Sequence, residues 1–223
     1  MGNQRDIITV DGLGASGKSA LARLLAKRLG YGHLNSGLFY RAAGWLALQS
    51  GVELSQAAQV AQVISRHSIV LEKAPDGRGV VLIDGIARED ELSSGDVSRA
   101  ASLVAQHPEV RAQFVEKQRS AFAPGGVVAE GRDMGTIIFP EARIKFFVEG
   151  DLSVRAQRRY EQLQGSNQRS SVEAIRSELA ARDERDARRE VAPMKPAPGA
   201  IVIDNSHDPL DEVVEKMFRY VAR

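Results

Sequence analysis

The segment Gly12-Leu13-Gly14-Ala15-Ser16-Gly17-Lys18-Ser19 fits the pattern G-x-x-x-x-G-K-[ST] and restricts the possible folds more than any other stretch of the chain. Ahead of it, residues 7–10 are largely apolar and β-branched and run into Asp11, as a buried parallel strand does before a turn. Behind it, Leu21, Leu24, Leu25 and Leu29 recur at helical spacing, and Gly30 stands where a helix would stop. Glycines in such a turn let backbone N–H groups face inward, and the following helix directs its positive end at whatever lies there. Phosphate oxygens suit this cradle: Gly12 to Ala20 would line it, Lys18 would reach the β and γ oxygens of a nucleoside triphosphate, and Ser19 would ligate Mg²⁺. A glycine turn that merely joins strand to helix is the competing reading. The strand before it and the helix after it favour the cradle.

Further strands are expected at 127–129, 144–148 and 200–203, with helices at 37–49, 55–67, 108–122, 151–164, 170–189 and 209–222. Their alternation predicts an α/β chain, a three-layer P-loop NTPase-like fold with a central parallel sheet and helices on both faces. Residues 68–72 and 79–84 break the alternation: they flank the turn-forming run Ala74-Pro75-Asp76-Gly77 and read as a hairpin, hence a small antiparallel β insert. Taken alone, this hairpin is either a bare surface feature or part of a binding region. The polar run 164–171 reads as a loop long enough to move.

Lys and Arg number 30 against 29 for Asp and Glu, so no surplus of charge points to nucleic acid or to a membrane, and any basic site has to be local. There is no cysteine, which removes disulfides, zinc thiolates and thiol nucleophiles together and suits a reducing cytoplasm. Residues 1–6 lack the basic-then-apolar layout of a signal peptide, and Asp6 stands where a myristoylation signal has Ser or Thr. No apolar run nears the roughly 18 to 20 residues that span a bilayer. The expectation is a cytoplasmic monomer acting on small molecules.

A phosphate cradle names a class of ligand without naming an acceptor. The N-K-x-D signature of guanine-specific switches is missing from the sequence. Instead, Leu34-Asn35-Ser36-Gly37-Leu38-Phe39-Tyr40-Arg41 follows the first helix, Glu130-Gly131-Arg132-Asp133-Met134-Gly135-Thr136 follows the strand at 127–129, and Arg182-Asp183-Glu184-Arg185-Asp186 precedes Val191-Ala192-Pro193. In these segments the chain resembles the bacterial cytidylate kinase family, from Ile8 to about Val221. The resemblance implies ATP-dependent phosphorylation of CMP and dCMP with Mg²⁺. It implies a single domain, 1–223, with a monophosphate-binding region at 36–104, a hairpin insert at 68–90 and a mobile helical lid at 155–171. By the same resemblance Ser36, Arg41, Arg132 and Arg189 surround the acceptor phosphate, with Tyr40 on the same substrate side. Arg182 and Asp186 serve phosphate and ribose, and Ser102, Arg111 and Asp133 read the cytosine.

The chain also departs from the family pattern. Leu13-Gly14 stands for a common Pro-Ser, Ser19 for a glycine, and Asn35 and Glu130 for aspartates. Glu130 is the candidate carboxylate for Mg²⁺, directly or through water, or for orienting the acceptor. Asp11 is a second candidate, with a structural role as its alternative.

These residue types suit phosphoryl transfer, which rests on positioning and on stabilising charge spread over equatorial oxygens. Arginine presents a planar, permanently charged fork to phosphate, and every basic residue from 151 to 190 is Arg. Arg182, Asp186 and Arg189 share one helix face, an arrangement that surface ion pairs adopt too. Arg155, Arg158 and Arg159 also share a face and are expected to close over the donor: Arg158 joins Lys18, Arg132 and Arg189 in catalysis, while Arg155 and Arg159 bind ATP. A solvated helix face is the alternative. A carboxylate beside a guanidinium complements the edge of cytosine, which assigns Asp133 with Arg111 to base recognition; a helix cap is the equal alternative for Asp133. The four histidines show no paired spacing and receive no role, and Trp45 is placed in the core. Two other functions fit the cradle: a small P-loop kinase with another acceptor such as UMP, and a non-catalytic nucleotide-binding switch.

Overall fold

Every residue of β1 (Ile7–Gly12) is buried, as in a parallel strand covered on both faces. The computed structural model, which describes residues 5–164 and 170–222, continues through α1 (Lys18–Leu29), β2 (Gly32–Asn35), α2 (Gly37–Gln49) and α3 (Ala57–Ser65). Next come β3 (Ile69–Lys73), β4 (Gly79–Ile83), β5 (Ile86–Ala87), α4 (Glu89–Ser93), α5 (Gly95–Val104) and α6 (Pro108–Ser120). The remainder is β6 (Val127–Gly131), a π-helical turn (Met134–Ile138), β7 (Ile144–Glu149), α7 (Leu152–Gln164), α8 (Val172–Ala187), β8 (Ile201–Asp204) and α9 (Leu210–Val221). The fold is α/β, with a parallel sheet in the order β2-β6-β1-β7-β8 and a small antiparallel sheet in the order β3-β4-β5. Two compact units divide the described chain: 5–6 with 26–130, and 7–25 with 131–222.

In the first unit β2 runs parallel to β6, from Gly32 opposite Val127 to Asn35 opposite Glu130. Helix α2 buries Phe39, Tyr40, Ala42, Ala43, Leu46 and Ala47 and packs on α5. The Phe39 ring lies 5.4 Å from that of Phe114 on α6, and Tyr40 meets Phe114 edge-on at 5.7 Å, so aromatic packing fixes the start of α2. Strand β4 alternates buried and half-buried residues, as a strand with one covered face does. The expected hairpin is β3 and β4, extended by a third strand, β5.

In the second unit β1 runs parallel to β7 and β7 to β8. Val213, Val214, Met217 and Val221 form the buried face of α9. Helices α7 and α8 pack through Ala156, Ile175 and Leu179, with Leu152, Tyr160 and Leu163 around them; burying one such Leu or Ile stabilises by about 1.5–3 kcal/mol. Residues 155–164 of the expected lid lie in α7, and 165–169 fall outside the described residues. Among the described residues, no helix is long and apolar enough to cross a membrane.

Candidate active site

The turn after β1 is fixed at both ends. Leu13 donates its N–H to Val148 O of β7 at 3.1 Å, and Asn205, just past β8, donates Nδ2 to Ser16 O at 2.8 Å. Between them Ala15 (φ 54°) and Gly17 (φ 84°) adopt left-handed conformations, which turn successive N–H groups toward one side. A side chain at Gly17 would collide with Asn205, since its Cβ would lie 2.5 Å from Nδ2. Lys18 opens α1, is buried, and donates Nζ to Leu13 O at 3.0 Å. Ser19 and Ala20 occupy the first turn of α1, where N–H groups have no intrahelical acceptor, and Ser19 is exposed.

In the same unit a buried carboxylate collects three guanidinium groups. Asp186 Oδ2 lies 3.1 Å from Arg132 Nε and 3.9 Å from Arg182 Nε, and its Oδ1 accepts from Arg189 Nη2. Burial would raise the Asp186 carboxyl, but Arg132, Arg189 and Arg182 outweigh it and hold the group below the usual carboxylate range. Three guanidinium groups share one carboxylate. The structure thus brings Arg132, Arg182, Asp186 and Arg189 together, with Arg132 reaching across 54 residues of sequence to the α8 carboxylate.

The arginines of α7 diverge. Arg155 is buried and donates Nε to Gly150 O at 2.9 Å and Nη1 to Gly14 O at 2.9 Å, and the same Nη1 lies 2.5 Å from Asp183 Oδ2. Arg158 donates to the carbonyls of Asn205 at 2.6 Å and Ser206 at 3.1 Å. Arg159 is half-buried. Asp183 received no role from the sequence, yet its Oδ1 accepts the Gly14 N–H at 2.8 Å. The only local signal was its place in the Arg-Asp repeat, where it reads as one more ion pair.

Asp133 is buried, and its side chain makes no cap hydrogen bond to the π-helical turn that follows, which removes the capping alternative. Asp11 takes that role from a distant strand, its two oxygens accepting the N–H groups of Met134 and Gly135, each at 2.8 Å. Burial pushes the Asp11 carboxyl up to about 7 in spite of those two bonds. Asp11 is therefore structural, as its alternative had it.

In the first unit the remaining candidates cluster around α2, α5 and α6. Ser36 donates both N–H (3.1 Å) and Oγ–H (2.8 Å) to Glu130 O, and the Asn35 side chain accepts the Gly37 N–H at 3.0 Å, a bond an aspartate would make equally well. Arg41 donates Nη1 to Leu92 O at 2.6 Å and Nη2 to Ser98 Oγ at 3.2 Å. The Arg111 guanidinium lies 5.4 Å from the Tyr40 ring centre and bonds Ala105 O at 3.4 Å; both residues are buried, as is Ser102 on α5. Leu92 and Ser98 escaped the sequence reading because they hold Arg41 from 51 and 57 residues away.

Two assignments change. His33 is not without a role: its Nε2 lies 3.1 Å from Glu130 Oε1, both side chains being buried. Trp45 is half-buried rather than core, with Arg88 4.8 Å above its ring. For a magnesium ion the donor set is sparse, since the described residues contain no group of three or more His, Cys, Asp or Glu able to hold a metal. An ion brought in on phosphate oxygens and completed by a single hydroxyl such as that of Ser19 fits this set better than a protein-built cage does.

A strand, a cradle with an inward lysine and an arginine cluster on the α/β scaffold define a P-loop phosphotransferase. The chain belongs to the cytidylate kinase family, whose profile matches residues 8–223; it is an enzyme that phosphorylates a nucleoside monophosphate. The cytidylate kinase of Symbiobacterium thermophilum is 38% identical to it, with 100% of this chain and 98% of that one covered. That of Pasteurella multocida is also 38% identical, with 97% and 95% covered. A bifunctional pantoate ligase/cytidylate kinase from Synechococcus sp. strain JA-3-3Ab is 39% identical over 97% of this chain, which spans 40% of that longer protein. Among solved structures, an uncharacterized protein from Eubacterium ventriosum matches with a TM-score of 0.53 at 13% identity over 98% of this chain and 99% of its own, a likeness of fold alone.

Proposed function

We propose that this enzyme transfers the γ-phosphoryl group of ATP to CMP and dCMP with Mg²⁺, acting as a cytoplasmic monomer. The observation that carries the proposal is the arginine cluster on Asp186: three planar cationic forks gathered at one buried carboxylate suit a phosphate monoester, which carries a charge of about −2. A buried hub also holds the forks in place before substrate arrives, so little reorganisation remains for the transition state. Arg132, Arg182 and Arg189 are assigned to the acceptor phosphate, together with Ser36 and Arg41; Ser102, Arg111 and Asp133 are assigned to the base, with Tyr40 stacked on Arg111 to orient it.

On the donor side, the N–H groups of the cradle and Lys18 bind the β and γ phosphates, and Arg158 and Arg159 complete the assignment. Magnesium, when bound, neutralises phosphate charge; Ser19 would hold it, with Glu130 assigned to it directly or through water. An oxygen of the acceptor phosphate attacks the γ phosphorus, the bond from that phosphorus to the β–γ bridging oxygen breaks, and ADP leaves. The arginines balance charge throughout, and no covalent enzyme intermediate is needed.

A coupled ADP-release assay with CMP, dCMP, UMP and AMP tests the proposal. Turnover of both cytidine substrates at least about tenfold above AMP in kcat/KM is expected, since a site built for hydrogen bonds rejects a base that leaves them unpaired. Cytidine turnover no better than with AMP would overturn the proposal, UMP as the preferred acceptor would redirect it, and ATP binding without transfer would leave a switch.

A further inference from the structure

We infer that Asp183 is a positioning residue for the donor side of the site, holding the Gly14 peptide in the shape that receives a triphosphate and fastening α7 and α8 to the cradle. The inference deepens the proposed function and rests on the cradle being the ATP site. Both polar groups of Gly14 are engaged within one small ring of bonds: the N–H to Asp183 Oδ1 at 2.8 Å, the carbonyl to Arg155 Nη1 at 2.9 Å, and Arg155 Nη1 to Asp183 Oδ2 at 2.5 Å. Little water reaches it, since the Asp183 and Arg155 side chains are 13% and 6% exposed. Charge-assisted bonds in such surroundings are short and strong.

The ring explains two things that otherwise stand apart. A bare carboxylate beside a phosphate cradle would repel its ligand, but the Arg155 guanidinium neutralises Asp183 where it sits. The glycine at position 14, where the family resemblance leads one to expect serine, leaves the room that Asp183 uses: a Cβ there would lie 3.2 Å from Asp183 Oδ1 and 3.3 Å from Leu179 Cδ2. Asp183 thus stands where a larger residue 14 would crowd it, and the peptide groups on both sides of Gly14 are ordered before nucleotide arrives. Preorganisation of this kind strengthens binding, because the ordering entropy is met on folding.

The test is calorimetric titration of the whole protein with ATP and, separately, with CMP, beside a thermal melt of each variant. In Asp183→Ala the ATP Kd is expected to rise about tenfold, the ordering entropy of one backbone residue, while the CMP Kd stays within about twofold. Asp183→Asn, which keeps an acceptor for Gly14 but loses the charge that meets Arg155, is expected to raise the ATP Kd about threefold and serves if the alanine variant does not fold. Gly14→Ala, which presses on Asp183, is expected to weaken ATP alone, and the double variant Gly14→Ala/Asp183→Ala to be no weaker than Asp183→Ala. An unchanged ATP Kd in a folded Asp183 variant, equal losses for ATP and CMP, or additive effects in the double variant would overturn the positioning role. If the unmutated protein itself failed to bind ATP, the fault would lie with the cradle assignment and not with Asp183.

Discussion

The two units hold their arginines by different means. In the second, Arg132, Arg182 and Arg189 converge on one buried carboxylate, whereas in the first Arg41 meets a carbonyl and a hydroxyl, and Arg111 meets a carbonyl and the Tyr40 ring. A carboxylate hub fixes several forks at once but makes their order depend on a single residue. In the first unit the carbonyl, hydroxyl and ring contacts hold Arg41 and Arg111 one at a time, with none of these groups shared between the two. The second unit therefore ties the geometry of several forks to one buried residue, while in the first these contacts fix each guanidinium by itself.

The largest effect that would break this contrast is expected from Asp186→Ala. Removing the hub takes the buried Asp186 charge away from Arg132 and Arg189, whose side chains are 14% and 5% exposed, and breaking largely buried pairs of this kind costs about 3–5 kcal/mol. Urea denaturation should show that loss, with kcat/KM falling about a hundredfold or more as the forks disperse. A destabilisation below about 1 kcal/mol would show that the arginines keep their places without the hub.

Arg41→Ala should sharpen the contrast from the other side. It gives up hydrogen bonds to Leu92 O and Ser98, about 1 kcal/mol of stability, while raising the KM for CMP about tenfold and leaving the KM for ATP unchanged. Steady-state kinetics with each substrate varied in turn would expose an equal rise in both constants, which would contradict the role.

Next in size is a pH effect that sets Asp11 against Asp186. With its folded pKa raised from the ordinary carboxylate range to about 7, Asp11 contributes stability that is complete below that ordinary range and is lost as pH rises through the folded value. The depressed pKa of Asp186 works in the opposite sense, its contribution being lost as pH falls through the folded value. The melting temperature of the unmutated protein minus that of Asp11→Asn should therefore fall as pH rises from 5 to 8; a difference that rose would refute the assignment of the raised pKa to Asp11. The smallest effect belongs to Ala15→Gly. Relief of a left-handed backbone should stabilise by about 1 kcal/mol or less in the melt, and clear destabilisation would mean that the Ala15 methyl group packs.

What the sequence exposed and what it hid follow from range. The strand, cradle and helix at 7–29 were legible because the motif and its flanks are contiguous, and the hairpin because its turn residues lie between two β-branched runs. Strand β2 was passed over: it is four residues long and includes His33 and Asn35, so neither period nor composition marks it. Helix α5 opens with a Ser94 cap on the Val97 N–H and Asp96 in its first turn, signals present in the sequence but buried in a polar run. The spacing of Arg182, Asp186 and Arg189 announced a shared face, while only the fold could bring Arg132 to it. Asp183, His33 and Ser98 escaped for the same reason, since each acts on a partner far along the chain.

Trp45 is the single tryptophan of the chain, seated on α2 four positions past Arg41 with the Arg88 cation against its indole. Its emission therefore reports from one address, and a cation resting on an indole alters its brightness when it leaves. Titrating nucleotide while following that light would reveal any shift of Arg88 away from the ring without a dye or a label.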